Sequence, residues 1–396
     1  MHTLLTPATV LPADIDNAVL IGRIWTAGLG PTLVRVCGDR VFDLSPVAAT
    51  CAQLLDLSDP VGRVRAATGV AIASTADVLA NSAYDRRDPA LPWFLAPCDL
   101  QAIKAAGVTF VASMLERVIE EQARGDASRA AAARTAVVSV IGDNLGGVRP
   151  GSAQAAQLRE VLLAQGMWSQ YLEVGIGEDA EIFTKAQPMA AVGIGSEVGL
   201  HPRSQWNNPE PEIVLAVNSR GETVGCTLGN DVNLRDFEGR SALLLGKAKD
   251  NNASAAIGPF IRLFDAAFGI DDVRQCQLSM RVSSADGAFQ MHGSSNLSLI
   301  SRDPLELVDQ VMGHPQRRTH QYPDGFMLYL GTMFAPTQDR HGPGQGFTHV
   351  VGDLVSVATP ALGTLLNRVN RSDAVPAWTY GTGALMRDLA RRGLLA

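Results

Sequence analysis

The sequence predicts an α+β fold, with a small α/β N-terminal domain ahead of a larger domain rich in short strands. Strand-like and helical runs alternate over residues 1–96, helical periodicity dominates about residues 108–170, and short apolar runs separated by Gly, Asn and Pro follow from Glu181 onward. The 396 residues exceed what one typical core holds, which also favours two domains. We place the boundary in the Pro-rich stretch that ends at Pro97, so the domains span residues 1–96 and 97–396.

Each element follows from its local pattern. Met114, Leu115 and Val118 lie three, four and seven positions after Val111, which predicts an amphipathic helix beginning after Thr109. In chain order, the predicted elements are strands at 18–25 and 32–37, a helix at 48–57, helices at 109–122, 128–141 and 152–165 with the turn-rich segment 142–151 between the last two, and strands at 181–185, 212–217, 223–228 and 277–282.

Composition excludes several classes of protein. The 46% hydrophobic and 18% charged fractions are those of a globular chain, and a net charge of −7 without a basic block gives no reason to expect a nucleic acid partner. No apolar run reaches the 18 residues of a membrane span, and the N-terminus lacks the pattern of a signal peptide. The five scattered cysteines contain no C-x-x-C pair, so we expect neither disulfides nor a thiolate zinc site, and a cytoplasmic location.

Three acidic residues are the first candidates for chemistry. Glu210 and Glu212 are two positions apart on a predicted strand and therefore point to the same face. A Gly-containing turn near Gly221 then leads to a second strand ending at Asp231. In a hairpin centred on that turn, Asp231 lies opposite or diagonal to Glu212. Three carboxylates would then converge.

Such a cluster of hard oxygen donors, with no thiolate or well-spaced histidine, favours Mg²⁺, with Mn²⁺ or Ca²⁺ as alternatives. A cation also removes the repulsion between neighbouring carboxylates. The alternative interpretation is structural: Glu210 and Glu212 would lie on a solvated strand face, and Asp231 would cap a turn. Spacing alone does not decide between the two.

Two lysines and one glutamate are candidates for proton transfer. Lys185 and Lys249 each follow an apolar stretch closely, and a lysine beside a divalent cation loses its proton more easily. Glu181 shares a strand face with Lys185, so the two could instead form an ordinary ion pair. Lys247 is an alternative to Lys249 because it lies two residues away.

Together, several motifs resemble the fumarylacetoacetate hydrolase superfamily, and most closely its bacterial 2-keto-3-deoxy-pentonate dehydratases. They are Glu210-x-Glu212, Asp231 in Asn-Asp-Val-Asn-Leu-Arg235, Lys249 ahead of Gly258-Pro259, the E-I-F-x-K motif from Glu181, Ser204-Gln-Trp-Asn-Asn-Pro-Glu-Pro-Glu, Gly331-Thr332 and Gly346-Phe-Thr-His349. The resemblance implies a mixed β-sandwich roll, with a lid and helical insertion over about residues 108–170.

The resemblance also implies roles for individual residues. Glu210, Glu212 and Asp231 would bind the metal, and Glu181 and Lys249 would act as acid and base. Thr332 belongs to a Gly-Thr loop that contacts the substrate carboxylate, and Lys185 and Arg235 are further expected substrate contacts; the remaining catalytic candidate, on the lid helix, is Glu116.

One departure from the superfamily concerns the reaction. Its C–C hydrolases carry a His–Glu pair on the lid helix, whereas this chain has Ser113 followed by Glu116. A hydroxyl without an adjacent base is a poor proton acceptor near pH 7. The resemblance therefore favours dehydration over hydrolysis of an acylpyruvate or diketo acid.

The implied reaction is enolisation of a 2-keto-3-deoxy-pentonate, followed by β-elimination of water and formation of 2,5-dioxopentanoate. A metal-stabilised module without catalysis is a further alternative, and it would leave Glu181 and Lys249 far from the three carboxylates. We expect a homodimer or homotetramer whose partner is a small 2-keto acid. The C4 stereochemistry of the substrate, and which of Glu181 and Lys249 takes the C3 proton, do not follow from the sequence.

Overall fold

The computed structural model describes residues 1–67, 69, 71–141, 148–164, 166, 168–313 and 318–395. In chain order the strands are β1 (Leu20–Thr26), β2 (Gly30–Cys37), β3 (Arg40–Asp43), β4 (Ala71–Ser74), β5 (Trp93–Phe94), β6 (Ala102–Gly107), β7 (Glu181–Ala186), β8 (Glu197–Leu200), β9 (Pro211–Val217), β10 (Thr223–Asp231), β11 (Ala255–Leu263), β12 (Gln277–Ser283), β13 (Gln290–Asn296), β14 (Phe326–Tyr329), β15 (Leu354–Thr359) and β16 (Gly363–Arg371). The helices are α1 (Pro7–Val10), α2 (Cys51–Leu55), α3 (Pro60–Ala66), α4 (Thr75–Ser82), α5 (Val111–Ala123), α6 (Ala130–Ile141), α7 (Ala153–Ala164), α8 (Gln170–Ile176), α9 (Arg235–Glu238), α10 (Leu245–Lys249), α11 (Ile270–Arg274), α12 (Pro304–Met312) and α13 (Thr382–Arg391).

The larger of two sheets combines the N-terminal strands β1–β5 with later strands of the chain up to β14. Its strand order is β4-β3-β2-β1-β11-β10-β9-β14-β6-β7, with β5 paired to β1. Strand β1 pairs antiparallel with β11 through Leu20 and Arg262, so the N-terminal strands and the β9–β10 hairpin belong to one sheet. The boundary predicted at residue 96 falls between β5 and β6, and the division into domains at that point stays a prediction.

The smaller sheet packs against one face of the larger sheet. Its order is β13-β12-β15-β16-β8. Along β12, buried residues alternate with residues that are more exposed, as expected for a strand with one face on the core. One apolar core joins the two sheets, and it contains Leu215 of β9, Leu228 of β10, Met280 of β12 and Val357 of β15. This sandwich of mixed sheets, with helices around it, is the α+β roll that the sequence predicts.

Helices cover the remaining faces. Cys51 and Leu54 of α2 and Val64 of α3 pack on the outer face of the larger sheet, against Ile21 and Ile257. A third apolar core lies between α5, α7 and α8, where it includes Met114, Val118, Leu162, Leu172 and Ile176. The apolar stripe predicted for α5 therefore faces α7 and α8, which leaves its polar side to face the sheet.

Most predicted elements appear with shifts of one to three residues. Strand β10 extends three residues beyond the apolar run 223–228 and ends at Asp231, as the predicted hairpin requires, because Gly229, Asn230 and Asp231 pair with β11. Residues 142–147 of the predicted turn segment, and Gln165, lie outside the described residues. Among the described helices, none combines the length and apolar character that crossing a membrane requires.

Candidate active site

The β9–β10 hairpin brings the three candidate metal ligands together. Gly221 adopts a φ of +76° in the turn, and Glu212 then pairs with Gly229, which places Asp231 diagonal to Glu212 as predicted. The Asp231 N–H donates to the Glu210 carbonyl at 3.0 Å. One carboxylate oxygen from each of Glu210, Glu212 and Asp231 lies within 4.8 Å of the others, and all three residues are at most 3% exposed. The alternative of a solvated strand face is therefore wrong.

Burial and mutual repulsion set the charge state of these carboxyls. Burial, together with the charges of Asp231 and Glu210, raises the pKa of Glu212 well above its usual range, although the Gly331 N–H donates to Glu212 at 2.7 Å. Burial also acts to raise the pKa of Asp231, but Lys185 and Lys249 outweigh it and lower that pKa.

The two lysines occupy different positions around Asp231. Lys249, the last residue of α10, places Nζ 2.5 Å from Glu210 Oε2 and 3.2 Å from Asp231 Oδ2. Lys185 Nζ lies 2.8 Å from Asp231 Oδ1 and donates to the carbonyls of Val232 and Lys249. Lys247, the alternative to Lys249, is exposed.

The same two lysines differ in pKa. Burial lowers the pKa of Lys185. Burial also acts to lower the pKa of Lys249, but Asp231 and Glu210 raise it above its usual value. Lys249 is therefore an ammonium that pairs with two carboxylates.

Glu181 begins β7 and is half-buried. Its backbone pairs with Gly107 of β6, where any side chain would overlap the Glu181 carboxylate. Burial, followed by the charge of Glu238, raises the pKa of Glu181 to about 7. Because Lys185 pairs with Asp231, the ordinary Glu181–Lys185 ion pair left open by the sequence is not formed.

A small cavity joins these groups. The polar side chains that line it are those of Ser113, Arg117, Glu181, Glu210, Glu212, Asp231, Glu238, Lys249 and Thr332. The described lining residues do not include three of the sequence-predicted residues, namely Glu116, Lys185 and Arg235. Metal ligands and proton-transfer candidates thus share one enclosed space.

Sequence analysis missed two charged residues that line the cavity, Arg117 and Glu238. The Arg117 guanidinium pairs through Nη2 with Glu210, and through Nη1 with Glu120 at 2.7 Å and with Glu238 at 2.8 Å. Arg117 is 7% exposed. Arg117 and Glu120 are three residues apart on the polar side of α5, and this i, i+3 spacing is the sequence feature that could have indicated an ion pair here.

Glu116 and Arg235 are not among the described residues that line the cavity. The Glu116 carboxylate accepts from Arg134 Nη2 at 2.8 Å and lies 3.7 Å from Arg235 Nη1. Arg235 also donates to Asn208 Oδ1 at 2.8 Å, and with Arg134 it lines a second cavity. The predicted catalytic role of Glu116 and the predicted substrate contact of Arg235 stay predictions.

The donor set fits a hard divalent cation. Carboxylates outnumber cationic side chains by two in this buried network, which contains Glu120, Glu181, Glu210, Glu212, Asp231 and Glu238 with Arg117, Lys185, Lys249 and Arg235. Oxygen donors without sulfur are the ligands that Mg²⁺ prefers. Glu210, Glu212 and Asp231 are the residues that would hold it.

The chain is similar in sequence to two curated dehydratases. It is 31% identical over 203 residues to a probable 2-keto-3-deoxyxylonate dehydratase of Haloferax volcanii, a match that covers 51% of this chain and 64% of the relative. It is 28% identical over 191 residues to a 2-dehydro-3-deoxy-D-arabinonate dehydratase of Saccharolobus solfataricus, covering 48% and 59%. The chain thus spans less than two thirds of the length of these relatives, and no protein-family model matches it.

Solved structures of related enzymes share the fold. The apo form of a 2-keto-3-deoxy-D-arabinonate dehydratase matches with a TM-score of 0.57 and 19% identity, over 89% of this chain and 99% of that one. A fumarylacetoacetate hydrolase of Exiguobacterium antarcticum matches with a TM-score of 0.52 and 14% identity, over 89% and 100%. The predicted fold is confirmed: the chain has the fumarylacetoacetate hydrolase fold, and its curated relatives are 2-keto-3-deoxy-pentonate dehydratases.

Proposed function

We propose that this chain dehydrates a 2-keto-3-deoxy-pentonate to 2,5-dioxopentanoate, with Mg²⁺ held by Glu210, Glu212 and Asp231. The main support is the single cavity that these three carboxylates line together with Glu181 and Lys249. The names of both curated relatives also support it, as does a structure of the same fold, that of a 2-keto-3-deoxy-D-arabinonate dehydratase complexed with magnesium and 2,5-dioxopentanoate. Mn²⁺ and Ca²⁺ are the alternative cations.

The chain's own residues handle the protons. A cation in this site supplies Lewis acidity to the carboxylate and ketone of a 2-keto acid, which makes the C3 protons acidic. Glu181 and Lys249 are the acid and base: one accepts a C3 proton, and the other gives a proton to the departing C4 hydroxyl, which leaves as water. The resulting enone then tautomerises through C5, where a C–H proton is lost and C3 regains one, to give, through its enol, the aldehyde of 2,5-dioxopentanoate. Thr332 lines the cavity and is proposed to contact the substrate carboxylate.

The hydrolase alternative has less support. Among the described residues that line the cavity, none is a histidine, and the Ser113 hydroxyl donates to the Phe110 carbonyl at 2.9 Å. The His–Glu pair of the superfamily's hydrolases therefore has no counterpart among the described residues that line the cavity. A metal-stabilised module without catalysis is also less favoured, because Glu181 and Lys249 line the same cavity as the acidic cluster.

A coupled assay tests the proposed function. The purified protein is incubated with Mg²⁺ and each 2-keto-3-deoxy-pentonate stereoisomer, and 2,5-dioxopentanoate is detected with an aldehyde dehydrogenase. We expect aldehyde from at least one isomer. Cleavage of an acylpyruvate, with no aldehyde from any pentonate, would instead establish the hydrolase.

The location and assembly are part of the same proposal. We propose a cytoplasmic enzyme that forms a homodimer or homotetramer. The cysteines support a reducing compartment, since all five are free thiols and four of them are buried. Size-exclusion chromatography with light scattering tests the assembly.

A further inference from the structure

Glu238 is a charged residue of the cavity that the reaction proposed above does not use. It is the last residue of α9 and is 3% exposed, and its side chain lines the cavity together with Glu181 and Lys249. Its main chain is held in place, because the Tyr171 hydroxyl donates to the Glu238 carbonyl at 3.3 Å. The carboxylate is therefore a fixed part of the wall.

One oxygen of this carboxylate has hydrogen-bonding capacity that the protein does not use. Glu238 Oε2 lies 2.8 Å from Arg117 Nη1, which compensates its charge, yet it accepts no hydrogen bond in the described part of the chain. Buried polar atoms without a hydrogen bond are uncommon and costly. A ligand that brings a hydroxyl group would satisfy this oxygen.

Arg117 lies between Glu238 and the proposed metal ligand Glu210. Arg117 contacts Glu238 through Nη1 and Glu210 through Nη2, so one guanidinium separates this oxygen from a proposed metal ligand. In the proposed reaction, C1 and C2 of the substrate lie at the metal ligands, and C3 and C4 lie near Glu181 and Lys249. The remaining polar group of the five-carbon acid is the C5 hydroxyl.

We propose that Glu238 accepts a hydrogen bond from the C5 hydroxyl and thereby makes the site specific for hydroxylated substrates. The inference rests on the proposed function, because it takes the substrate from that reaction. A site built to bond a substrate hydroxyl discriminates strongly against an analogue that lacks it, since the buried acceptor is then left unpaired.

Glu120 provides a matched control. It also pairs with Arg117 Nη1 and is 2% exposed, but its Oε2 accepts a hydrogen bond from that nitrogen, and it is not one of the described residues lining the cavity. Glu238→Gln and Glu120→Gln both remove a negative charge beside the Arg117 guanidinium, and Glu120 Oε1 also lies 3.4 Å from Arg235 Nε. The two variants differ in whether the altered group faces the substrate.

The experiment compares the 2-keto-3-deoxy-pentonate with 4-hydroxy-2-oxopentanoate, which lacks the C5 hydroxyl. We expect the Mg²⁺-loaded wild type to prefer the pentonate by about 10- to 100-fold in kcat/KM, as for a hydrogen bond to a charged group. Glu238→Gln should reduce this preference at least about fivefold, and Glu120→Gln should leave it unchanged. Inhibition by pyruvate, which has no C4 or C5, should be equal in all three proteins.

A folded Glu238→Gln variant that keeps the wild-type preference for the pentonate would overturn the inference. An equal loss of that preference in Glu120→Gln would also overturn it. Glu238→Asp, which keeps the charge but shortens the side chain, replaces Glu238→Gln if the latter does not fold, and it should also lose preference. If the wild type turns over neither compound, the proposed function fails, while calorimetric binding of the two compounds to the wild type and Glu238→Gln still tests Glu238.

Discussion

The β9–β10 hairpin and the helices α5 and α9 face the same cavity, but they place their charged side chains in different ways. On the hairpin, Glu212 and Asp231 are positioned by backbone pairing around the Gly221 turn. On the helices, Arg117 is held by ion pairs with Glu120 and Glu238 and with Glu210 across the cavity. The hairpin therefore presents its carboxylates through backbone pairing and adds ion pairs to Lys185 and Lys249, whereas the helical wall depends on ion pairs alone.

This difference separates two kinds of contribution. Removing a charge from the hairpin should affect metal binding first, because the backbone pairing that positions its side chains remains, although Asp231→Asn also takes a partner from the buried Lys185. Removing the charge of Arg117, which joins the helices to the hairpin, should mainly lower the free energy of unfolding. Several buried carboxylates then lose a partner, namely Glu120, Glu210 and Glu238. The following predictions test this contrast.

Removal of the cation should have the largest effect. We expect EDTA to lower turnover at least about 10³-fold, since a bound cation contributes several kcal/mol to the transition state, and Mg²⁺ or Mn²⁺ should restore activity. Asp231→Asn should weaken metal binding without unfolding the chain. The control is Glu222→Gln on the same hairpin, where Glu222 forms an exposed pair with Arg220. Full activity in excess EDTA, with no metal found by elemental analysis, would contradict the metal site.

Glu181→Gln tests the proton transfer proposed for the cavity that the hairpin and the helices line. The substitution keeps size but removes the titrating group, so kcat should fall by about 10²- to 10⁴-fold. Metal content should stay at the wild-type level, because Glu210, Glu212 and Asp231 are unchanged. Near-wild-type turnover in the metal-loaded variant would exclude a catalytic role for Glu181.

Arg117→Met tests the helical wall. The variant leaves Glu120, Glu210 and Glu238 buried without their shared cation, so the free energy of unfolding should fall by about 3–5 kcal/mol. Arg220→Met is the control, because Arg220 pairs with Glu222 at the surface and should contribute under about 1 kcal/mol. Urea denaturation of the metal-free proteins measures both values. Similar losses of the free energy of unfolding in the two variants would show that the buried ion pairs of Arg117 contribute no more to stability than an exposed pair.

The smallest expected effect is a dependence of stability on pH. Burial and Glu238 raise the pKa of Glu181 to about 7 in the folded chain, above the ordinary value of 4.5. The folded state therefore binds more protons than the unfolded state between these two values, and the contribution of Glu181 to stability is lost as pH rises through that window. The loss is of the order of 1 kcal/mol per pH unit at most.

Comparison with Glu181→Gln isolates this contribution. In the metal-free protein, the variant should gain stability relative to the wild type between pH 5 and pH 8. Chemical denaturation at the two pH values measures the change. A constant difference between wild type and variant would mean that the Glu181 carboxyl does not titrate in this range.

How much of the site the sequence predicts depends on the range of the interactions. Glu210, Glu212 and Asp231 were predicted to converge because strand periodicity and a turn of known centre are local rules. The alternative pairing of Glu181 with Lys185 followed the same periodicity, yet Lys185 pairs with Asp231 of β10 instead. Strand periodicity places side chains on a face, but it does not say which other strand that face meets.

The sequence by itself determined the α+β class, the order of most elements, and the acidic hairpin, because each depends on patterns within about twenty residues. Only the tertiary structure decided that β1 joins β11 in one continuous sheet, that Lys249 rather than Lys247 is buried beside Glu210, and that Arg117 links three glutamates. These features depend on contacts between residues far apart in the chain. Burial then determines their energies, since charges removed from water must find partners wherever the fold brings them together.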